Sequence, residues 1–228
     1  MDPLQTTRQL AAELFPQAVW VILSGSVLTS ARTAGSDLDI VVLLPDGSTG
    51  APRRESLRYD GWPVELFVHD QASLAHYLAM DLPGRRPVLH RMVALGTVVT
   101  GDAAGTQAAA RRTLQAGPAP LDQAEQDTIR YALTDLLDDL AHAPDGEQAV
   151  VATYAWLRTA EATLNFRNHW IGNGKWLLRE LRDLDPAYAD RWLAARGSTP
   201  AIRGLAEEVL TLAGGPLFAG YRVAGERG

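Results

Sequence analysis

The feature that most constrains this chain is the stretch 23–44, LSGSVLTSARTAGSDLDIVVLL, in which two apolar runs flank a polar segment. The first run breaks at Gly25 and Ser26, and the second opens with Asp37 and Asp39. Short apolar runs bounded by such breaks predict a strand, a corner and a second strand. Because side chains alternate along a strand, the two aspartates should share one face while the apolar residues between them occupy the other.

Two carboxylates on one face carry an electrostatic cost. At a separation near 4 Å they repel by about 4 kcal/mol at an effective dielectric constant of about 20. A divalent cation would neutralise them, and oxygen ligands without a nearby cysteine or histidine pattern favour Mg²⁺. Mg²⁺ typically takes one or two carboxylates together with substrate phosphates. The aspartate pair therefore predicts a site for a metal ion and a phosphate.

The glycine–serine corner supports the same interpretation. Gly25 allows the backbone to approach a ligand closely, and Ser26 is a good N-cap for a helix over residues 27–32. The free N–H groups at the start of such a helix attract anions. The corner therefore predicts phosphate binding.

A third carboxylate follows on a predicted hairpin. Residues 57–59 and 63–69 flank Asp60 and Gly61, and this dipeptide between apolar runs is a strong signal for a two-residue turn. Glu65 falls on the row opposite the apolar residues of its strand, as the aspartates do on theirs. All three carboxylates can thus converge on one side of the sheet. Asp60 is a rival, but its place in the turn explains it.

Each signal has an ordinary structural explanation when it is taken alone. An aspartate pair at the edge of a strand is more often solvated than metal-bound. A single glutamate such as Glu65 is usually a surface residue. The functional interpretation depends on the three elements occurring in order with matching strand parity.

The motif as a whole resembles a known family. Gly25 and Ser26, nine intervening residues, Ser-Asp-Leu-Asp at 36–39 and a following apolar strand are similar to the signature of the DNA polymerase beta nucleotidyltransferase superfamily. The resemblance implies transfer of a nucleoside monophosphate from a nucleoside triphosphate to a hydroxyl group, with two Mg²⁺ ions held by three carboxylates. It assigns metal binding and catalysis to Asp37, Asp39 and Glu65, and triphosphate binding to Gly25 and Ser26 with assistance from Ser36.

The predicted fold class is α+β. A small mixed β-sheet nucleotidyltransferase domain flanked by helices is expected over residues 1–117, followed by an all-α helical bundle over 118–228. The boundary rests on the sequence GPAP at 117–120, because two prolines between helical stretches favour an extended connector. After residue 121 the strand patterns stop, and helical periodicity is interrupted only by glycine and proline.

Composition narrows the range of partners. The 228 residues have a formal net charge of -6, which argues against a broad nucleic-acid track because such a surface must be basic. The chain has no cysteine, which excludes disulfides and thiolate metal sites. Without a signal peptide or a long apolar run, we expect a cytoplasmic protein with no membrane partner.

The order of the domains is similar to that of kanamycin nucleotidyltransferase-like antibiotic adenylyltransferases. That resemblance implies that the helical domain shapes an acceptor pocket, often with a neighbouring subunit, so that a homodimer is one expected state. It also implies a carboxylate that activates the acceptor hydroxyl. Glu161 is one candidate for this base, although a surface helix carboxylate beside Arg158 is the more common finding.

Two further features of the second half have open interpretations. Asp135 and Asp139 share a helix face in an acidic cluster that would suit an amine-rich acceptor such as an aminoglycoside, although most charge runs are solvated. Lys175 follows a Gly-Asn-Gly break and lies at a predicted helix start, where the dipole disfavours a cation. A triphosphate, a carboxylate or solvent could each compensate its charge, and we predict that Lys175 binds nucleotide.

The function predicted from the sequence is a metal-dependent nucleotidyltransferase with a small-molecule acceptor and pyrophosphate as the second product. Two alternatives stay open at this point. One is a nucleotidyltransferase that modifies a protein or an RNA end, as in toxin–antitoxin systems, and the other is a nucleotide-binding regulator without catalysis. The sequence does not select among nucleoside triphosphates.

Overall fold

The computed structural model describes residues 2–224 of the chain. Their contacts separate into two compact units, Met1–Ala116 and Gly117–Gly228, named here the sheet unit and the helical unit. The first combines a mixed sheet with helices, and the second is built from helices, so the fold class is α+β as predicted. The division lies one residue before the boundary expected from the sequence.

The sheet unit contains five strands in the order β3-β4-β2-β1-β5. Strands β2 and β4 are parallel, whereas the pairs β1–β2, β1–β5 and β3–β4 are antiparallel. Its elements are α1 (Pro3–Leu14), β1 (Trp20–Ser24), β2 (Leu38–Leu43), β3 (Arg53–Tyr59), β4 (Trp62–His69), α2 (Gln71–Asp81), α3 (Val88–Leu95), β5 (Thr97–Gly101) and α4 (Ala104–Ala116).

The hairpin that carries Glu65 forms around the predicted turn. Asp60 and Gly61 both have positive φ, 50° and 81°, which a two-residue type I′ turn requires. Tyr59 pairs with Trp62 directly across this turn. Strand β3 extends further back than the predicted 57–59, because it pairs with β4 along its whole length.

Strand alternation divides the apolar residues of the sheet between two faces. Leu38, Ile40 and their neighbours on β4 form one core with Leu10 of α1. On the other face, Val41 and Leu43 pack with residues of α2, α3 and α4. Both faces of the sheet are therefore covered. The reason is that β2 is apolar on both rows beyond Asp39.

The prediction of a helix over residues 27–32 is wrong. A single 3₁₀ turn spans Ser26–Leu28, and Gly25, not Ser26, is the residue before it. The hydroxyl of Thr29 donates to the carbonyl of Ser26 at 3.0 Å and accepts from the N–H of Ala31 at 3.1 Å. Such local side-chain bonds compete with helical hydrogen bonds and end the turn here. No α-helix therefore follows Gly25, and the expected attraction of a helix dipole for phosphate is absent here.

The described part of the helical unit contains helices and no strands, as the periodicity after residue 121 predicts. The helices are α5 (Gln123–His142), α6 (Asp145–Phe166), α7 (Lys175–Leu184), α8 (Pro186–Ala194) and α9 (Thr199–Leu212). A shared apolar core joins these helices. Within it the rings of Trp156 and Trp192 stack at 4.0 Å, and each indole N–H donates to the other residue's backbone carbonyl at 2.8 Å.

Candidate active site

Two of the three predicted carboxylates are direct neighbours across adjacent strands. Asp39 of β2 and Glu65 of β4 are register partners in the parallel pair. Their apolar neighbours belong to the core under α1, so both carboxylates lie on the opposite face of the sheet. Both residues are half-buried. Asp37 lies two residues before Asp39, just outside the strand, and is also half-buried.

Gly25 lies against the carboxylate of Asp39. Ser24, the last residue of β1, is the register partner of Asp39, which places the corner beside this carboxylate. A Cβ atom at Gly25 would overlap Oδ2 of Asp39, and the φ of Gly25 is 89°, a conformation that favours glycine. Both the close approach and the backbone conformation therefore require glycine at this position.

A hydrogen bond joins the two predicted serines. Ser26 Oγ lies 3.1 Å from Ser36 Oγ, and both residues are buried. The backbone N–H of Thr33 donates to Ser36 Oγ at 2.9 Å. These bonds tie the corner after β1 to the segment before β2. The structure thus brings together Gly25, Ser26, Ser36 and Asp39, as the spacing of the motif implied.

Sequence reasoning missed one residue of this site, Arg54 on β3. Its Nη2 lies 2.8 Å from Oε2 of Glu65, and its guanidinium lies 4.9 Å from the centre of the Phe67 ring. The available signal was strand parity: Ser56 is the register partner of Glu65, so Arg54 projects from the same face two residues away. A cation is therefore the immediate partner of the third carboxylate.

The three predicted carboxylates fit Mg²⁺ by residue type but are not grouped as a metal site. Asp37, Asp39 and Glu65 offer only carboxylate oxygens, which suit a hard cation. Across residues 2–224, however, no three His, Cys, Asp or Glu side chains are grouped as a metal site would require. One oxygen of Glu65 is held by Arg54. The expected convergence of three carboxylates is thus absent from the side-chain arrangement, although the residue types and the Asp39–Glu65 register fit the ion.

Glu161 and Asp135, which the sequence marked as candidates in the helical unit, lie close to each other. Glu161 accepts a hydrogen bond from Nη1 of Arg158 at 2.7 Å, which is the helix ion pair considered above. Glu161 and Asp135 also line one cavity of about 360 Å³ between α5 and α6, together with Tyr154. Tertiary packing therefore joins two carboxylates that lie 26 positions apart in the sequence.

Lys175 is the first residue of α7 and is exposed. Gly174 before it has a φ of 53°, so the chain turns sharply into the helix. The arrangement agrees with the predicted helix start at Lys175. Nucleotide binding by Lys175 stays a prediction.

No family model matches the chain, and no curated protein matches it. Among solved structures it is similar to a nucleotidyltransferase-like protein from Exiguobacterium sibiricum, with 14% identity and a TM-score of 0.46 over 92% of this chain and 77% of that chain. None of the helices within residues 2–224 has the length and apolar character needed to cross a membrane.

Proposed function

We propose that this chain is a nucleotidyltransferase that moves a nucleoside monophosphate from a nucleoside triphosphate to a hydroxyl of a small-molecule acceptor. The observation that carries the proposal is the pairing of Asp39 with Glu65 on parallel strands, with Gly25 packed against Asp39. In the reaction, the acceptor oxygen bonds to the α-phosphorus, the bond to pyrophosphate breaks, and the proton of the acceptor hydroxyl passes to solvent.

The hydroxyl groups of Ser26 and Ser36 support triphosphate binding, because one of their two hydrogens is not used between them. Ser36 Oγ accepts from the N–H of Thr33, and one of the two serine hydroxyls donates to the other. A hydroxyl has one hydrogen to donate, so the pair has one O–H left for a ligand oxygen. Gly25, which lies next to Ser26, leaves space for the carboxylate of Asp39 against the backbone. We therefore assign triphosphate binding to Gly25, Ser26 and Ser36.

Asp37 and Asp39 would hold Mg²⁺, and Glu65 would join them on releasing Arg54. The bound ion would supply positive charge to the phosphates and to the acceptor oxygen. In the structure, Arg54 neutralises Glu65 and so lowers the repulsion among the carboxylates. Arg54 would thus stabilise the site before nucleotide arrives.

For the acceptor we propose a hydroxylated amine that binds the cavity between α5 and α6. Asp135 and Glu161 supply two carboxylates there, and Arg158 neutralises only the second. Tyr131 and Tyr154 add aromatic surface that suits a sugar ring or a cation. Kanamycin should bind wild type more tightly than Asp135→Asn by calorimetry. The exposed Asp138→Asn on the same helix is the matched control, and equal affinities for all three proteins would reject this acceptor site.

The proposed nucleoside triphosphate site is tested by isothermal calorimetry of each of the four common nucleoside triphosphates, with Mg²⁺ and with EDTA. We expect metal-dependent binding of at least one of them to wild type and to Asp60→Asn, since Asp60 belongs to the turn. The double variant Asp37→Asn/Asp39→Asn should lose that binding, and Lys175→Gln should weaken it. Metal-dependent binding that survives in the double variant would reject the assigned site.

A further inference from the structure

A second cavity lies in the sheet unit, between the β3–β4 hairpin and helices α2 and α3. It has a volume of about 400 Å³, which falls within the range of small-molecule sites. Such sites are mostly apolar, with a few polar groups that set the orientation of the ligand. This cavity has that composition, because its apolar walls come from Phe67, Tyr77, Met80, Val88, Leu89 and Met92.

The walls suit a flat apolar body. Phe67 and Tyr77 present aromatic surface, and the two methionines can adjust to an irregular outline. Several of these side chains are open to solvent, among them Tyr77 at 41% and Met80 at 60% of their full exposure. A ligand would remove this apolar surface from water, which is favourable.

Arg54 is the cation that a ligand would meet. It lines the cavity, lies over the Phe67 ring and binds Glu65 at the same time. Its side chain is 64% exposed, and exposed ion pairs contribute little stability. An anion on a ligand seated against Phe67 can therefore compete with Glu65 for the guanidinium.

The remaining charged groups of the cavity are already engaged. Arg53 donates to Glu55 at 3.2 Å and also to the carbonyl of Gly50. Asp81 accepts from the backbone N–H of Leu89 at 2.7 Å. Arg53 also lies over the ring of Phe15, which belongs to the core on the opposite face of the sheet. Arg54 lies over Phe67 in the cavity wall and is consequently the cation whose charge a ligand in the cavity can use.

His69 also lines the cavity. The residue is 6% exposed, and its Nδ1 is buried without a hydrogen-bond partner within residues 2–224. Burial lowers the pKa of His69 below its usual 6.5, so the imidazole is neutral near pH 7. A neutral ring 5.3 Å from the Tyr77 ring extends the aromatic wall without adding charge.

We infer that this cavity binds a small molecule with a planar apolar body and one anionic group, and that Arg54 exchanges Glu65 for that anion on binding. The inference concerns binding alone and does not depend on the proposed transfer activity. It does couple the two sites, because ligand binding would release the carboxylate of Glu65 and any partner that holds Glu65 would release Arg54.

The test uses two fluorescent probes that differ by one charge. These are 1-anilinonaphthalene-8-sulfonate and its uncharged parent, N-phenyl-1-naphthylamine. Both should bind the full chain saturably at one site, the sulfonate more tightly. Arg54→Gln should weaken sulfonate binding by about tenfold, the size expected for one hydrogen bond to a charged group, and leave the parent unchanged. Arg58→Gln is the matched control, an exposed arginine on the same face of β3.

Two further variants locate the site and test the exchange. Val88→Trp should abolish binding of both probes by filling the cavity, and Val88 is 46% exposed, so the larger ring can be accommodated. Glu65→Gln should tighten sulfonate binding by about threefold because Arg54 loses its competing partner. Circular dichroism checks that each variant is folded. Sulfonate binding that survives in folded Val88→Trp, equal losses in Arg54→Gln and Arg58→Gln, or weaker binding to Glu65→Gln would each overturn the inference.

Discussion

The sheet unit and the helical unit place their polar residues by different means. In the sheet unit, Asp39, Glu65 and Arg54 lie on neighbouring strands, and the pleat alone puts their side chains on one face. In the helical unit, Asp135 and Glu161 meet only because α5 packs against α6. A site built on paired strands thus follows from strand alternation and register, whereas a site between helices depends on how the helices pack.

The two units also use hydrogen bonds differently in their interiors. The buried serine pair of the sheet unit lies beside the candidate site. In the helical unit, the buried bonds hold helices together, as between Thr163 and Tyr188, whose hydroxyl oxygens are 2.6 Å apart. Burial raises the pKa of Tyr188, the opposing effect of the Thr163 bond being smaller. Variants of the serine pair should therefore change activity, and variants in the helical core should mainly change stability.

The largest expected effect is that of Asp39→Asn on transfer. We expect the rate to fall by about a thousandfold or more, because loss of charge stabilisation of about 4 kcal/mol has that consequence. The circular dichroism spectrum should be unchanged. Turnover is measured with the nucleotide and acceptor identified by calorimetry, and Asp60→Asn serves as control. Turnover within tenfold of wild type would remove Asp39 from the proposed mechanism.

The next effect separates close approach from backbone strain. Gly25→Ala should lower the free energy of unfolding by about 2–4 kcal/mol, because a positive φ is costly for alanine and the added methyl overlaps Asp39. Gly47→Ala is the matched control, since Gly47 also has positive φ, 75°, but has open space around its Cβ position. It should cost about 1 kcal/mol. Urea unfolding of both variants decides the comparison, and equal losses would contradict the packing of Gly25 on Asp39.

A smaller effect is expected in the core of the helical unit. Trp156→Phe removes one indole hydrogen bond to the Trp192 carbonyl and should cost about 1–2 kcal/mol of unfolding free energy. A double-mutant cycle with Trp192→Phe should show coupling of about 1 kcal/mol, since the rings are stacked. Additive losses in denaturant unfolding would mean that the stacked pair does not act as a unit.

The smallest effect concerns pH and His69. Burial lowers the pKa of this histidine, so the unfolded chain binds its proton at a higher pH than the folded chain does. Stability should therefore fall as pH drops through 6.5 towards the folded pKa, and change no further below it on this account. His69→Gln should flatten this pH dependence, and His76→Gln, at an exposed position, should not. An equal slope in wild type and His69→Gln, measured by unfolding at several pH values, would contradict the assignment.

Much of the sheet unit could be predicted because its signals are local. Asp60 and Gly61 specify their turn through positive φ, and alternation along β4 places Glu65 opposite the apolar row. The failed prediction over residues 27–32 has a local cause as well, since the hydroxyl of Thr29 takes hydrogen bonds that a helix would need. Turn chemistry overrode helical propensity there.

The order of the elements followed from the sequence, and so did the strand faces on which Asp37, Asp39 and Glu65 lie. The sequence also marked position 25, a glycine, as a close approach of the backbone. These follow from the backbone periods of strands and helices, which operate over a few residues. The pairing of Asp39 with Glu65 and the cavity beside Phe67 could be known from the tertiary structure alone. Strand order, cross-strand partners and cavities depend on contacts between distant segments, and no local period encodes those contacts.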